Sequence, residues 1–223
     1  MSLFQRSGVI GAIRKRLATW DAPTPQNNGQ AYGSDWYDRA YTAIETYHVA
    51  YEKSPYYSIW TVIVDRIRQN GLRRVLEIGC GPGQLAALLL DQGVEHYTGL
   101  DFSPVAISIA RNTVPRGRFV VDDACTSTLY VDIEYDVIVC TEVLEHIDDD
   151  LSVVTHFRPG VRCLCTVPNF PYESHVRHFR DVDEVVRRYS AFFDDFDVAT
   201  IKGPQTEGQM YFLFEGVRNE YRL

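Results

Sequence analysis

Residues 75–84 read Val-Leu-Glu-Ile-Gly-Cys-Gly-Pro-Gly-Gln, an apolar stretch that runs into a glycine-rich turn and then into a helix-forming segment. This order predicts a buried strand, a tight turn and a helix. Gly79, Gly81 and Gly83 would let the backbone approach a bound molecule closely. The helix that follows would point its free N–H groups at the same place. The segment therefore predicts a ligand-binding turn at the carboxyl end of a strand.

An acidic residue ends the next apolar run. Asp101 follows Tyr97–Leu100 and lies about 20 residues beyond Gly79, a spacing at which a carboxylate accepts hydrogen bonds from both hydroxyls of a ribose. A dinucleotide-binding turn would have a glycine at the position of Gln84. The pattern therefore indicates a nucleoside ligand and disfavours a nicotinamide-dependent oxidoreductase.

Residues 76–83 resemble the first motif of the class I S-adenosylmethionine-dependent methyltransferases, and three later stretches agree with that family in order and spacing. Residues 99–104 are similar to its ribose-binding loop, residues 119–124 to its adenine-edge loop, and residues 136–146 to its fourth strand and active-site loop. The resemblance covers roughly residues 55–218. It is closest to small-molecule, sugar and ubiquinone-type O-methyltransferases with a Glu-x-x-Glu-His loop.

The resemblance implies an α/β, Rossmann-like fold with a seven-stranded, mostly parallel sheet flanked by helices, and an N-terminal helical lid. The alternation of β-rich runs with helical segments favours the same parallel sheet. We expect one aromatic-rich helix from Asp35 to Tyr51, a second from Ile59 to Ile67, and a helix capped by Ser103. By resemblance, the last strand, Gln209–Val217, should insert antiparallel.

The chain divides into an arm and linker (1–34), a helical lid (35–70) and a cofactor-binding domain (71–223). The first 20 residues contain no acid and carry a helical apolar stripe. We expect this arm to pack on the domain or on a second copy of the chain in a homodimer. An organellar presequence and a membrane-surface helix remain alternatives.

Composition narrows the class of protein. The formal net charge is −8, which lowers the expectation of a nucleic-acid partner. No apolar run approaches the roughly 20 residues needed to span a bilayer. The five cysteines form no zinc-type cluster and fall mostly in predicted strands, which favours buried, reduced thiols. We expect a cytoplasmic enzyme.

The resemblance also implies a set of cofactor contacts. The glycines would shape the turn beneath the methionine moiety, Glu77 would lie near its amino group, and Asp101 would bind the ribose. Phe102 would stack on adenine, while Asp123 and the backbone N–H of Ala124 would bind its edge. The full set of expected S-adenosylmethionine contacts is Glu77, Gly79, Cys80, Gly81, Gly83, Asp101, Phe102, Asp123, Ala124 and Glu142.

A hydroxyl or ammonium acceptor must lose a proton before it can attack a methyl group, and histidine suits that task near pH 7. His146 is the first candidate for the base, with Glu142 and His178 as further catalytic candidates. The acceptor is expected to be a small molecule, a sugar or secondary metabolite, methylated on a hydroxyl or, as second choice, an amine. Its expected contacts are Tyr56, Tyr57, Asn169, His175 and Arg177.

The acidic and imidazole residues leave alternatives open. Glu142, Glu145, His146 and His175 resemble the divalent-metal set of small-RNA 3′-terminal 2′-O-methyltransferases, and such mixed ligands suit Mg²⁺ or Mn²⁺. The chain departs from that family in its acidity and in its His-x-x-His stretch, so a metal is not favoured. A non-catalytic, cofactor-binding regulator is the alternative outside enzymes.

Overall fold

The computed structural model describes residues 29–203 and 208–221. The predicted arm and most of the predicted linker lie outside the described residues. Among the described residues, no helix is long and apolar enough to cross a bilayer.

A seven-stranded sheet forms the centre of the described chain, in the order β3-β2-β1-β4-β5-β7-β6. The first five strands in this order run parallel, and β7 runs antiparallel to both β5 and β6. The predicted mostly parallel sheet and the antiparallel last strand are therefore confirmed. The strands are β1 Arg74–Ile78, β2 His96–Asp101, β3 Arg118–Val121, β4 Val137–Thr141, β5 Arg162–Pro168, β6 Phe193–Lys202 and β7 Met210–Arg218.

Helices cover both faces of the sheet, which explains why its central strands are nearly continuous in apolar residues. The predicted cap of α4 is confirmed, since the Ser103 hydroxyl accepts a hydrogen bond from the Ala106 amide and Pro104 is the first helical residue. The helices are α1 Ser34–Ala43, α2 Tyr57–Gln69, α3 Gln84–Asp91, α4 Pro104–Thr113, α5 Leu129–Asp132, α6 Asp150–His156 and α7 Val182–Tyr189. Short helical turns span Glu45–Tyr47, Tyr51–Lys53, Leu144–His146 and Ser190–Phe192.

The single helix expected from Asp35 to Tyr51 is wrong, because α1 ends where Ile44 takes an extended conformation. Tertiary hydrogen bonds replace those that a longer helix would make. The Gln84 side chain donates to the carbonyls of Thr46 and Val49, at 3.1 and 2.7 Å. A continuing helix would need those carbonyls for its own amides. The chain therefore folds back over the glycine turn.

Helix α2 belongs to the core of the sheet. Its buried side chains recur at the helical period and join the apolar layer formed by β1, α3 and α4. Because Ile63 is fully buried in that layer, its truncation to alanine should cost about 2–5 kcal/mol. Within the predicted lid (residues 35–70), α1 packs on the glycine turn, and we call α1 and the two helical turns after it the lid segment, or lid (residues 34–53).

Candidate functional site

The glycine turn after β1 has the backbone that its sequence predicts. Gly79, Gly81 and Gly83 all have positive φ, at 69°, 49° and 85°, a region that favours glycine. The Gly81 amide donates to Asp101 Oδ2 at 2.9 Å. A Cβ on Gly79 would lie 2.3 Å from Cγ2 of Val143, in the segment after β4. The turn is therefore fixed between the ends of β2 and β4.

Asp101 lies at the carboxyl end of β2 and is 3% exposed. Its Oδ1 accepts the Ser103 amide at 2.9 Å, while Oδ2 accepts Gly81. Each oxygen keeps a lone pair that could accept a ribose hydroxyl. Burial raises the pKa of Asp101 to about 6, although the two amides oppose this rise. The neighbouring Phe102 ring is partly exposed and can present a face to a base.

Of the two carboxylates in the loop after β3, Asp122 and Asp123, one is available to a ligand. Asp122 is engaged, since its oxygens accept hydrogen bonds from the Asp123 amide and the Ser127 hydroxyl. Asp123 is exposed and accepts the Cys125 amide through Oδ1, which leaves Oδ2 available to a ligand. Asp123, the acid that the family resemblance indicates, therefore has an oxygen available, whereas both Asp122 oxygens accept hydrogen bonds within the loop.

A polar pair lies beneath the glycine turn. The Tyr97 hydroxyl donates to Glu77 Oε2 at 2.5 Å, and both residues are buried. Burial raises the pKa of Glu77 to about 8, against the lowering effect of Tyr97. The Cys80 side chain joins the same apolar layer and lies beside Gly99. Cys80 would therefore meet a ligand through its backbone and not through its thiol.

The lid packs directly on the glycine turn. The Tyr41 hydroxyl lies 3.5 Å from the position a Gly81 Cβ would take. Asp38 accepts the Ser103 hydroxyl at 2.5 Å and the Val105 amide at 3.3 Å, at the start of α4. Sequence patterns gave no signal for Asp38, because nothing in α1 indicates which of its polar residues meets α4.

The segment after β4 begins with strained backbone. Glu142 has a φ of 56°, a left-handed conformation that is uncommon for a residue with a side chain. The Thr166 hydroxyl, at the end of β5, donates to Glu142 Oε1 at 2.9 Å and accepts the Glu142 amide at 3.1 Å. Burial raises the pKa of Glu142 to about 8. Thr166 therefore holds Glu142 at the edge of the sheet beside the glycine turn.

Two histidines present basic nitrogens to one spot. His146 Nδ1 lies 2.8 Å from the Ser174 carbonyl, and His175 Nδ1 lies 3.1 Å from the Phe170 carbonyl. A carbonyl only accepts, so each Nδ1 carries the proton and each Nε2 keeps a lone pair. Burial lowers the pKa of both histidines to about 4, and for His175 the nearby His146 adds to this. Both are therefore neutral near pH 7.

Glu145 completes this cluster. It is fully buried, and neither carboxyl oxygen accepts a conventional hydrogen bond from the described part of the chain. Burial and the nearby Glu142 carboxyl raise the pKa of Glu145 well above its ordinary range. One ligand atom each from Glu145, His146 and His175 lie within 4.8 Å of one another. This donor set fits a divalent cation and equally a polar group of an acceptor.

The expected acceptor contacts separate into two groups. Tyr56 lies in an aromatic wall with Tyr211, Phe170 and His175, with ring centroids 5.4 to 6.1 Å apart in successive pairs. Tyr57 instead pairs with Tyr51, whose hydroxyl binds Asp91 at the far end of α3. The ring of His178 lies near enough to His175 to lower its pKa.

Two expected acceptor contacts make hydrogen bonds within the protein. Asn169 donates to the Gly208 carbonyl and accepts the Met210 amide, so it fastens the entry of β7 to the end of β5. Arg177 is 6% exposed and turns its guanidinium toward backbone carbonyls of the segment after β4. The sequence placed both residues at the correct edge of the sheet but could not show which way each side chain turns.

A family model described as a methyltransferase domain matches residues 10–197 of this chain. The chain belongs to that methyltransferase domain family. Among curated relatives, the methyltransferase domain is 32% identical over 130 residues to a ubiquinone biosynthesis O-methyltransferase of Aeromonas salmonicida, covering 53% of this chain and 54% of the relative. A Vibrio cholerae protein of the same name is 36% identical over 93 residues, 39% and 38% of the two chains. The chain thus spans about half the length, or less, of the curated relatives it matches.

Solved structures share the fold of this methyltransferase domain. The N-methyltransferase NodS of Bradyrhizobium japonicum superimposes with a TM-score of 0.64 at 16% identity, over 84% of this chain and 99% of that one. Magnesium protoporphyrin IX methyltransferase of Synechocystis gives 0.58 at 17% identity, over 85% and 99%. The bacterial CtHen1 methyltransferase domain gives 0.54 at 18%, over 73% and 97%. These identities establish the fold alone.

Proposed function

We propose that this protein is an S-adenosylmethionine-dependent methyltransferase that acts on a hydroxyl, or an amine, of a small metabolite such as a sugar or secondary metabolite. One juxtaposition carries the proposal. The glycine turn, with a buried carboxylate at its side, stands against the segment that carries His146. Family membership and the ubiquinone-type relatives support the same activity.

The described residues fit the cofactor. The turn at Gly79 to Gly83 takes the left-handed backbone that glycine allows, and Asp101 beside it retains lone pairs for the ribose hydroxyls. Phe102 would stack on adenine, while Asp123 and the Ala124 amide would bind its edge. The Glu77 carboxyl, beneath the turn, would balance the ammonium of the methionine moiety. When bound, S-adenosylmethionine supplies an electrophilic methyl group on a sulfonium.

His146 would act as the base. Its Nε2 carries the free lone pair and takes the proton from the acceptor hydroxyl as the new oxygen–carbon bond forms and the sulfur–carbon bond breaks. The lid and the surrounding aromatic side chains would exclude water from that step and align the acceptor with the methyl group. Glu142, held by Thr166, would position the acceptor beside His146.

A metal-assisted reaction is the second candidate, because Glu145, His146 and His175 bring their ligand atoms within 4.8 Å. Glu145, His146 and His175, with Glu142 beside them, would hold a divalent cation that grips neighbouring hydroxyls of the acceptor. An RNA 3′ end has such hydroxyls, but a net charge of −8 opposes RNA binding. Activity that survives EDTA would dismiss this candidate, and Mn²⁺-dependent activity that vanishes in Glu145→Gln would establish it.

Calorimetry with S-adenosylhomocysteine tests the proposed cofactor site. Asp101→Asn should weaken binding at least tenfold, about 1.4 kcal/mol, because one ribose acceptor and a charge are lost. Asp136→Asn is the matched control, since Asp136 binds the Arg74 amide and guanidinium at the opposite edge of the sheet. Wild-type protein that takes up no S-adenosylhomocysteine at millimolar concentration would refute the proposal.

Radiolabelled methyl transfer then tests the reaction. Wild-type protein is incubated with methyl-labelled S-adenosylmethionine and a panel of small alcohols, phenols, sugars and amines. Labelled product from a hydroxyl or amine acceptor is the expected result. Tight cofactor binding without transfer to any acceptor would instead indicate a regulator that keeps the cofactor site.

A further inference from the structure

The turn that carries Glu145 and His146 is held from behind by one arginine. Arg177 Nη1 donates to the Leu144 carbonyl at 2.5 Å and also to the Ile147 carbonyl, and Nη2 donates to the Asp148 carbonyl at 2.6 Å. Three carbonyl oxygens thus converge on a single guanidinium. Without that cation they would repel one another, so the shape of the turn depends on it.

The arginine is itself anchored on a buried carboxylate. Asp150, at the start of α6, is fully buried and lies 3.4 Å from Arg177 Nη1. Arg188 and Tyr189, both on α7, also donate to Asp150, through Arg188 Nε at 2.9 Å, Arg188 Nη2, and the tyrosine hydroxyl at 2.6 Å. A buried carboxylate with this many donors has little freedom to move. The network therefore ties α7 to the turn after β4.

The backbone beside Arg177 reaches the same turn. The amides of Val176 and Arg177 both donate to the Glu145 carbonyl, at 2.8 and 3.3 Å. The Ser174 carbonyl accepts His146 Nδ1–H and so selects the tautomer whose Nε2 is basic. Displacing residues 174–177 would therefore remove the hydrogen bond that fixes the orientation of the His146 ring.

We propose that Arg177, held by the Asp150 carboxylate to which Arg188 also donates, is the positioning residue that sets the orientation of His146 for proton transfer. This inference rests on the proposed function for its catalytic consequence, while its structural part stands on the contacts of Arg177 alone. No atom of the network needs to touch the acceptor or the cofactor. Arg177 would act on the rate of the chemical step and leave both ligands bound as before.

The test compares Arg177→Met with Arg180→Met. Arg180 lies three residues along the chain and is exposed, and its guanidinium pairs with Glu184, so it serves as the matched control. Arg188→Met is the milder variant, because it removes one support of Asp150 and leaves Arg177 in place. Arg177→Lys keeps the charge but cannot reach three carbonyls, and it should restore only part of the lost function.

Three measurements are made on each variant: the affinity for S-adenosylhomocysteine, the NMR resonance of the His146 Nδ1 proton with and without that ligand, and kcat and KM for an acceptor found by the transfer assay. For Arg177→Met we expect affinity within about threefold of wild type, a shifted or exchange-broadened Nδ1 resonance, and kcat lowered at least tenfold with KM nearly unchanged. Arg188→Met should show the same changes at smaller size, and Arg180→Met should show none.

Two outcomes would overturn the inference. One is an Nδ1 resonance and a kcat in Arg177→Met that match those of Arg180→Met. The other is a loss of kcat that only parallels a loss of cofactor affinity in both Arg177→Met and Arg188→Met, which would indicate general destabilisation. Failure of the proposed function would be recognised separately, because wild-type protein would then bind no S-adenosylhomocysteine. The Nδ1 resonance of the free protein would still test whether Arg177 sets the orientation of the His146 ring.

Discussion

The hydroxyl of Tyr97 donates a 2.5 Å hydrogen bond to the carboxyl of Glu77 directly beneath the glycine turn. Both side chains are buried among apolar residues, so the hydroxyl is the group that favours the charged form of the carboxyl against desolvation. The hydrogen bond therefore sets the ionised fraction of Glu77, whose carboxylate would lie beneath the methionine end of a bound cofactor.

Replacing Tyr97 by Phe should weaken binding of the amino-acid end of the cofactor and spare the nucleoside end. Without the hydroxyl, the pKa of Glu77 rises further and less carboxylate opposes the ammonium. Calorimetry should show an affinity for S-adenosylhomocysteine lowered about tenfold, and an affinity for 5′-methylthioadenosine, which lacks the amino acid, that is unchanged. Tyr135→Phe, on the other side of the sheet, is the control. Equal losses for both ligands would contradict the assignment.

Glu77 should also make stability fall as pH rises. Burial raises its pKa from an ordinary 4.5 to about 8, so the folded protein keeps a proton that the unfolded chain releases between these values. Raising the pH through this window therefore lowers the free energy of unfolding. In urea unfolding at pH 5, 6.5 and 8, the free energy of unfolding of Glu77→Gln should rise relative to that of wild type by roughly 3 kcal/mol between pH 5 and pH 8. Parallel pH profiles for the two proteins would refute this.

Replacing His146 by Gln should remove the base and keep the fold. Turnover with an identified acceptor should fall by about two to four orders of magnitude, while affinity for S-adenosylhomocysteine stays within about twofold. Because burial lowers the pKa of His146 to about 4, the wild-type rate should lose its histidine-dependent part only as pH falls through that value. His156→Gln, an exposed histidine that stacks on Tyr130, is the control. An unchanged rate in His146→Gln would end its assignment as base.

Two glycines with the same backbone conformation separate strain from packing. Gly71 has a φ of 65° and nothing near its missing Cβ, while Gly79 has a φ of 69° and a Cβ position 2.3 Å from Val143 Cγ2. Alanine at Gly71 should cost about 1 kcal/mol, and at Gly79 about 3 kcal/mol or more. Val143→Ala in the Gly79→Ala background should recover part of the difference. If urea unfolding shows equal losses of stability in Gly71→Ala and Gly79→Ala, the segment after β4 moves aside without an energetic penalty, which would contradict this prediction.

The alternation of strands and helices, the parallel part of the sheet and the glycine turn could be predicted because local patterns determine them, whereas the seven strands and the antiparallel last strand are implied by the family resemblance. Apolar runs, glycines at the turn and the Ser103 cap each act over a few residues. The break at Ile44 could not be predicted, since it depends on Gln84, which lies 38 residues from Thr46 in the chain. The orientation of the Arg177 side chain could not be predicted for the same reason, because the three backbone carbonyls and Asp150 that bind it come together only in the folded chain.

The contact between Tyr41 and Gly81 has a kinetic consequence. The lid packs on the turn, and lifting α1 to let a nucleoside leave would break the hydrogen bonds of Asp38 to Ser103 and Val105. Opening of such a segment takes microseconds to milliseconds or longer and commonly governs the steady-state rate. Rapid mixing should therefore show a burst of methylated product in the first turnover. Later turnovers should be slower, because release of S-adenosylhomocysteine limits their rate.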